Sequence, residues 1–268
     1  MGIDMTPCQG YLEPCRVFGN LYFVGTLPAS THIIDTGDGL IMLDSGYQHS
    51  LFIVLHNMHL MGLDPRNVKY VLHTHGHIDH MGAGKAMKEM FGCTTFIGEP
   101  DKDYINGVLP LSWSKELDIP LIPFEADVKL KDGDKIKLGN TEITAVLTPG
   151  HTPGAMTYFF DVTDGKDTYR AALHGGMGIN TMNREFIDKY NIPYSYREEF
   201  ISVQERLSEM PVDIYLGNHA AHNNTPEKIK RVLAGDDKAF VNPTEWKKAM
   251  LDARDTVLAI IEKEKNEQ

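Results

Sequence analysis

Residues 73–80 read His73-Thr74-His75-Gly76-His77-Ile78-Asp79-His80, which places four histidines and one carboxylate within eight residues. A neutral imidazole binds metal through a ring nitrogen. A carboxylate beside it adds a hard oxygen donor and negative charge. Ordinary core packing does not call for such density. His75 and His77 stand two apart, so in a loop leaving a strand their side chains converge on one point. Asp79 and His80 suit a neighbouring point. His73 is given no role, nor are the isolated His49, His56 and His59.

Two distant histidines complete the pattern. His151 sits in Thr148-Pro149-Gly150-His151-Thr152-Pro153-Gly154, where prolines and glycines fix the backbone as a ligand on a loop requires. His219 ends the apolar run Val212–Leu216 and its following Gly217-Asn218, with the small Ala220 and Ala221 after it. The result is two sets: three imidazoles, and one carboxylate with two imidazoles. Three protein donors per ion leave an open position, which marks catalytic rather than structural zinc. Two such ions about 3.5–4 Å apart can hold a bridging hydroxide as nucleophile near pH 7. Imidazole with carboxylate also suits iron or manganese.

These residues need elements to position them. Val68–Leu72 is a continuous apolar-rich strand of the kind buried on both faces, and the histidines follow its carboxyl end, where open α/β sheets form sites. Further strands are expected at Leu21–Val24, His32–Asp35, Leu40–Asp44, Thr94–Ile97, Lys135–Leu138, Glu142–Leu147, Met156–Val162 and Thr168–His174. Residues 1–18 read as irregular. Helices are expected from Leu51 to Met61, and from about His80, with Met81, Ala86, Met87 and Met90 inward and Gly92 as C-cap. Others cover Arg197–Met210 and Thr225–Leu233. The last begins with Asn242 as N-cap, Pro243 at N1 and Glu245 at N3, and Lys263–Gln268 should fray. Gly98–Pro123 has poor periodicity and two exposed-looking aromatics, Tyr104 and Trp113. It is the candidate substrate-covering loop. Two halves, each of strands then helices, predict two sheets packed face to face with helices outside.

Composition narrows the class. A formal net charge of −11 disfavours wrapping a phosphate backbone and fits an enzyme of small molecules, with no nucleic-acid partner. No apolar run approaches the ~20 residues of a membrane span. The N-terminus lacks a basic region followed by an apolar core. The expectation is therefore cytoplasmic for the chain as it stands, and periplasmic or secreted if a signal was trimmed. Cys8, Cys15 and Cys93 include no CxxC, and free thiols are favoured over a Cys8–Cys15 disulfide. Residues 1–268 read as a single domain of undetermined oligomeric state.

His75-Gly76-His77-Ile78-Asp79-His80 resembles the HxHxDH signature of the metallo-β-lactamase superfamily. Leu43-Asp44-Ser45-Gly46 and Thr148–Gly154 are similar to its other blocks, in the same order, and the similarity spans nearly the whole chain. The resemblance implies a four-layer αββα sandwich. It implies that His75, His77 and His151 bind one Zn2+, that Asp79, His80 and His219 bind a second, and that Asp44 holds the site's loops in place. Most hydrolases of the superfamily carry a metal-bridging aspartate at the end of a later strand. Here that strand runs Tyr169-Arg170-Ala171-Ala172-Leu173-His174-Gly175-Gly176 and has no carboxylate at its end. Glyoxalase II-like thioesterases, lactonases and phosphodiesterases normally keep that aspartate. Subclass-three metallo-β-lactamases, with an Asp-His-His second site, lack it and resemble this chain best, although the last histidine there is more often followed by proline. The resemblance thus implies opening of a β-lactam amide, as in antibiotic resistance, with Asp79 as the catalytic carboxylate orienting the hydroxide. The alternative is a relative acting on another ester, thioester or lactone. His174 lies where that subclass uses serines and is an expected substrate contact. His222 is either a polar group at the rim or a plain loop histidine.

Overall fold

The structure, a computed structural model, describes residues 10–109 and 111–267. One sheet has seven strands in sequence order: β1 (Cys15–Phe18), β2 (Leu21–Phe23), β3 (His32–Asp35), β4 (Leu40–Leu43), β5 (Val68–Leu72), β6 (Thr94–Gly98) and β7 (Val128–Leu130). The pairs from β1 to β4 are antiparallel, and those from β4 to β7 are parallel. The other sheet holds β8 (Lys135–Leu138), β9 (Thr141–Leu147), β10 (Met156–Thr163), β11 (Thr168–Leu173) and β12 (Ile214–Leu216). Its strands are antiparallel except for the β11–β12 pair. The helices are α1 (Leu51–Leu60), α2 (Ile78–Met81), α3 (Gly84–Phe91), α4 (Lys102–Ile105), α5 (Arg184–Tyr190), α6 (Ser195–Ser208), α7 (Thr225–Leu233) and α8 (Glu245–Asn266).

Alternation along the strands builds the layers, because successive side chains point to opposite faces. Ile34, Ile41, Leu43 and Leu72 of one sheet meet Tyr158, Phe160, Ala171 and Leu173 of the other. Their neighbours Ile33, Met42 and Val71 face outward onto Leu51, Val54 and Met58 of α1 and Met87 of α3. Phe159 and Ala172 face outward onto Val203 and Leu207 of α6 and Trp246 and Met250 of α8. The Trp246 indole donates to Leu207 O at 2.7 Å, which fastens α8 to α6. This is the helix–sheet–sheet–helix order expected from the sequence. Among the described residues no helix is long and apolar enough to cross a membrane.

Several local expectations need correction. β1 lies inside the stretch read as irregular. The expected helix near His80 is two short helices, α2 and α3, with Gly92 closing the second in the left-handed region. Met90 is exposed, whereas Tyr104 is buried and Trp113 half-buried. The last helix begins two residues later than predicted, after Thr244, because the Asn242 carboxamide accepts from the Thr244 amide and hydroxyl in a turn of its own. α8 also continues to Asn266 where fraying was expected. Cys15 and Cys93 are buried, and Cys8 lies outside the described residues.

Candidate metal centre

The site forms along one edge of the sandwich, at the carboxyl ends of β4, β5, β6 and β12. These strands run parallel to their neighbours β5, β6, β7 and β11, so their following loops open on the same side. β5 delivers the segment from His73 to His80. This segment is fastened to the other sheet, since Met156 N donates to Thr74 O at 2.7 Å and the Tyr158 hydroxyl to His73 O at 2.7 Å. His77 adopts extended backbone just before α2, so His75 and His77 share one loop while Asp79 and His80 ride the helix.

Two clusters result, as the spacing predicted. Donor atoms of His75, His77 and His151 lie within 4.8 Å of one another, and so do those of Asp79, His80 and His219. His75 Nε2 and His77 Nδ1 are 3.1 Å apart. His80 Nε2 lies 3.3 Å from His219 Nε2 and 3.2 Å from Asp79 Oδ2, and His219 Nε2 is 3.4 Å from the same oxygen. The rings of His75 and His80, centred 4.2 Å apart, join the clusters.

The outward nitrogens show that these residues fit a metal. His151 Nδ1 donates to Gly178 O at 2.7 Å, and His219 Nδ1 donates to Pro28 O. His75 Nδ1 donates to Thr74 Oγ1 at 3.1 Å, and that hydroxyl donates in turn to Asp44 Oδ2 at 2.8 Å. His80 Nδ1 donates to the same carboxylate oxygen at 2.8 Å. Bonds of this type fix the tautomer that turns a lone pair inward, as metal-binding histidines require. Asp44 itself has φ of 56° and also accepts from Thr74 N at 2.7 Å. It therefore holds the end of β5 to α2 without reaching either cluster's centre.

Electrostatics agree. Burial, then the neighbouring rings, hold His75 and His77 well below the usual imidazole range. Burial also lowers His151, to about 4. All three are neutral donors at pH 7. In the second cluster burial opposes charge on His80, but the carboxylates of Asp79 and Asp44 outweigh it and raise its pKa to about 10. Burial likewise opposes charge on Asp79, yet His80, His219 and His77 hold its carboxyl well below the usual carboxylate range. This cluster is built to hold positive charge.

His174, expected as a substrate contact, is buried, with both ring nitrogens engaged by the protein. It is 1% exposed, its Nδ1 accepts from Gly176 N at 2.9 Å, and its Nε2 meets the Gln204 carboxamide at 3.0 Å. An accepting Nδ1 puts the ring proton on Nε2, so Gln204 must present its oxygen. Turning that amide over also satisfies Gln204 Oε1, otherwise a buried atom without a partner. His174 directly follows β11, so no carboxylate stands at that strand's end. His222 lies beside the second cluster, its ring 5.0 Å from His219 and its Nδ1 2.8 Å from Asn218 Oδ1. His73 is buried with its ring against Phe124 and belongs to neither cluster.

Sequence reading missed Asp101. It is fully buried and accepts from Gly76 N, Thr152 Oγ1 and Gly154 N at 2.6–2.8 Å. Glu99 and Asp103 flank it in an aperiodic stretch, and nothing in composition separates the three. Of the stretch expected as a covering loop, Glu99–Ile105 is helical, while its later part reaches the first cluster. Trp113, at φ of 64°, presents its ring edge-on to His77 at 5.9 Å and stacks on Phe186 of α5 at 5.6 Å. Lys189 pairs with Glu116 at 3.4 Å and ties the loop to α5.

The sequence model of the metallo-beta-lactamase superfamily matches residues 24–164, just over half of the chain. The chain belongs to the metallo-beta-lactamase superfamily. The superfamily fold extends beyond the matched residues. BJP-1, a subclass B3 metallo-beta-lactamase of Bradyrhizobium japonicum, superposes with a TM-score of 0.88 at 25% identity, covering 98% of this chain and 99% of that one. FEZ-1 from Legionella gormanii gives 0.88 at 26% identity over 96% and 98%. Among curated relatives, an uncharacterised Aquifex aeolicus protein is 28% identical over 62% of this chain and 75% of its own length. A hydroxyacylglutathione hydrolase of Methylococcus capsulatus is 32% identical over only 38% and 34%. This superfamily member is a metal-dependent hydrolase by fold and donor set.

Proposed function

We propose that the chain is a dinuclear zinc hydrolase that opens the amide of a β-lactam ring. The observation that carries the reading is the donor set. It comprises five imidazoles and one carboxylate in two clusters, with β11 followed by a histidine turned into the protein rather than by a bridging acid. The likeness to subclass B3 lactamases over almost the whole chain supports it. In this reading His75, His77 and His151 hold one ion, Asp79, His80 and His219 hold the other, and Asp44 positions His80.

Ions held there would supply Lewis acidity toward a carbonyl oxygen and toward water. The chain's own residues do the rest. Asp79 stays ionised at neutral pH, so it orients an attacking water as a hydrogen-bond acceptor and gives the catalytic carboxylate its role. Trp113 and its loop cover His77 and exclude bulk solvent, which strengthens electrostatic interactions beneath. The donors also suit iron or manganese, and elemental analysis of protein purified without added metal identifies the ion.

A second reading, hydrolysis of a thioester, ester or lactone, draws on the partial similarity to a hydroxyacylglutathione hydrolase. The missing acid after β11 weighs against it. A panel of nitrocefin, a carbapenem, an acyl lactone and a glutathione thioester separates the two at fixed metal occupancy. The expected result is lactam turnover that His151→Ala abolishes with the fold intact. Turnover unchanged in His151→Ala sinks the metal assignment, and turnover confined to the thioester or lactone sinks the lactam.

A further inference from the structure

We propose that Asp101 is the positioning residue of the three-histidine cluster. By this account its carboxylate sets the spacing between the loop of His75 and His77 and the loop of His151, and so sets that site's metal affinity. The inference rests on the metal-binding reading above.

Asp101 closes a tight turn, Glu99–Asp101, that leads from β6 into α4. Its Oδ2 accepts from Gly76 N at 2.8 Å and from Thr152 Oγ1 at 2.6 Å, and its Oδ1 accepts from Gly154 N at 2.6 Å. Gly76 is the residue between His75 and His77. Thr152 directly follows His151, and Gly154 is the last residue of that turn. One carboxylate thus joins the two loops that carry all three ligands of the site, through two backbone amides and one threonine hydroxyl, although the loops lie far apart in sequence.

The packing is rigid on both sides. A Cβ on Gly154 would lie 2.5 Å from Asp101 N and 2.7 Å from its Cγ, and one on Gly76 would lie 2.6 Å from Tyr104 Cβ. Only glycine fits at either point, so the loops cannot slide against the turn.

A buried carboxylate is costly unless paired, and among the described residues no Lys, Arg or His forms an ion pair with Asp101 within 4.0 Å. Three donors compensate its charge instead. A carboxamide of the same shape would turn N–H groups toward at least one of these buried donors, so the three donors require the two accepting oxygens that only a carboxylate supplies. Asp101 bonds to no residue of the second cluster. Asp44 serves that cluster through His80, which gives each site its own buried carboxylate.

The test uses the full chain as Asp101→Asn, with Thr152→Val as a milder variant that keeps the carboxylate. His151→Ala and His219→Ala mark the two sites. Apo-protein is titrated with Co2+ and Zn2+ against a chromophoric chelator, with melting temperatures of apo-protein alongside. Groups hydrogen-bonded directly to metal ligands typically contribute about 10–100-fold in affinity. Asp101 bonds to residues beside the ligands, so Asp101→Asn is expected to weaken one of two sites by about tenfold, the low end of that range. The lost Co2+ absorption should match the loss in His151→Ala rather than in His219→Ala. Thr152→Val should weaken the same site by less. Equal weakening of both sites, or none while wild type binds two ions, overturns the role of Asp101 alone. Wild type that binds fewer than two ions overturns the metal reading, and this inference with it.

Discussion

Most buried polar groups around the centre have a partner, but His32 has none. Both of its ring nitrogens are buried without a hydrogen bond, and its ring packs edge-on against Phe23 at 5.6 Å. Burial lowers its pKa to about 4, against a smaller opposing pull from Asp44. The ordinary value of about 6.5 holds in the unfolded chain, so between pH 6.5 and 4 the unfolded state binds a proton that the folded state does not. Stability is then full above pH 6.5 and is lost as pH falls toward 4, by up to about 3 kcal/mol from this residue. His32→Leu keeps the volume and removes both unsatisfied atoms, a change that is neutral or stabilising where no partner is left behind. In chelated protein the melting temperature of His32→Leu is expected to exceed that of wild type, by a margin that widens from pH 7 to pH 4.5. A margin independent of pH refutes the assignment.

At the scale of elements, legibility followed length and burial. β5, β8 and α7 match their predicted ranges end to end, because each is bounded by clear turn signals or caps. β1 and β7 were missed because they are edge strands of four and three residues, too short for alternation to register. α5 buries only Ile187 and so shows no apolar stripe, although Asn183 caps it through Phe186 N at 2.8 Å. The six donor residues were readable because chemistry restricts their types. Asp101 was not, because its role depends on three partners brought together only by folding. The covering loop was legible as aperiodic sequence, but not the direction of its aromatics. Trp113 holds a left-handed backbone that favours glycine, and its indole nitrogen is buried without a partner. Trp113→Gly relieves that backbone while uncovering His77. The Michaelis constant for whichever substrate the panel identifies is expected to rise about tenfold, or about 1.4 kcal/mol of binding, with kcat changed much less. An unchanged Michaelis constant removes the loop from substrate binding.

Across the whole molecule, each cluster draws on both sheets. His75, His77, Asp79 and His80 follow β5 of the seven-stranded sheet, while His151 and His219 follow β9 and β12 of the other. An ion in either cluster therefore cross-links the two layers at one edge, beyond the shared core that joins them elsewhere. A metal that binds only the folded chain stabilises it by about 2.7 kcal/mol at a hundred times its dissociation constant. For a protein of this size that corresponds to roughly 5–10 °C in melting temperature per site. Chelation is expected to lower the melting temperature by at least that amount and re-addition to restore it. His151→Ala should lose one step of the shift, because the second site keeps its donors, and His151→Ala with His219→Ala should lose both. The measurement is thermal unfolding at fixed pH with metal as the only variable. A melting temperature that ignores chelation would mean that the ions do not join the sheets, leaving the core between them to account for the stability of that edge.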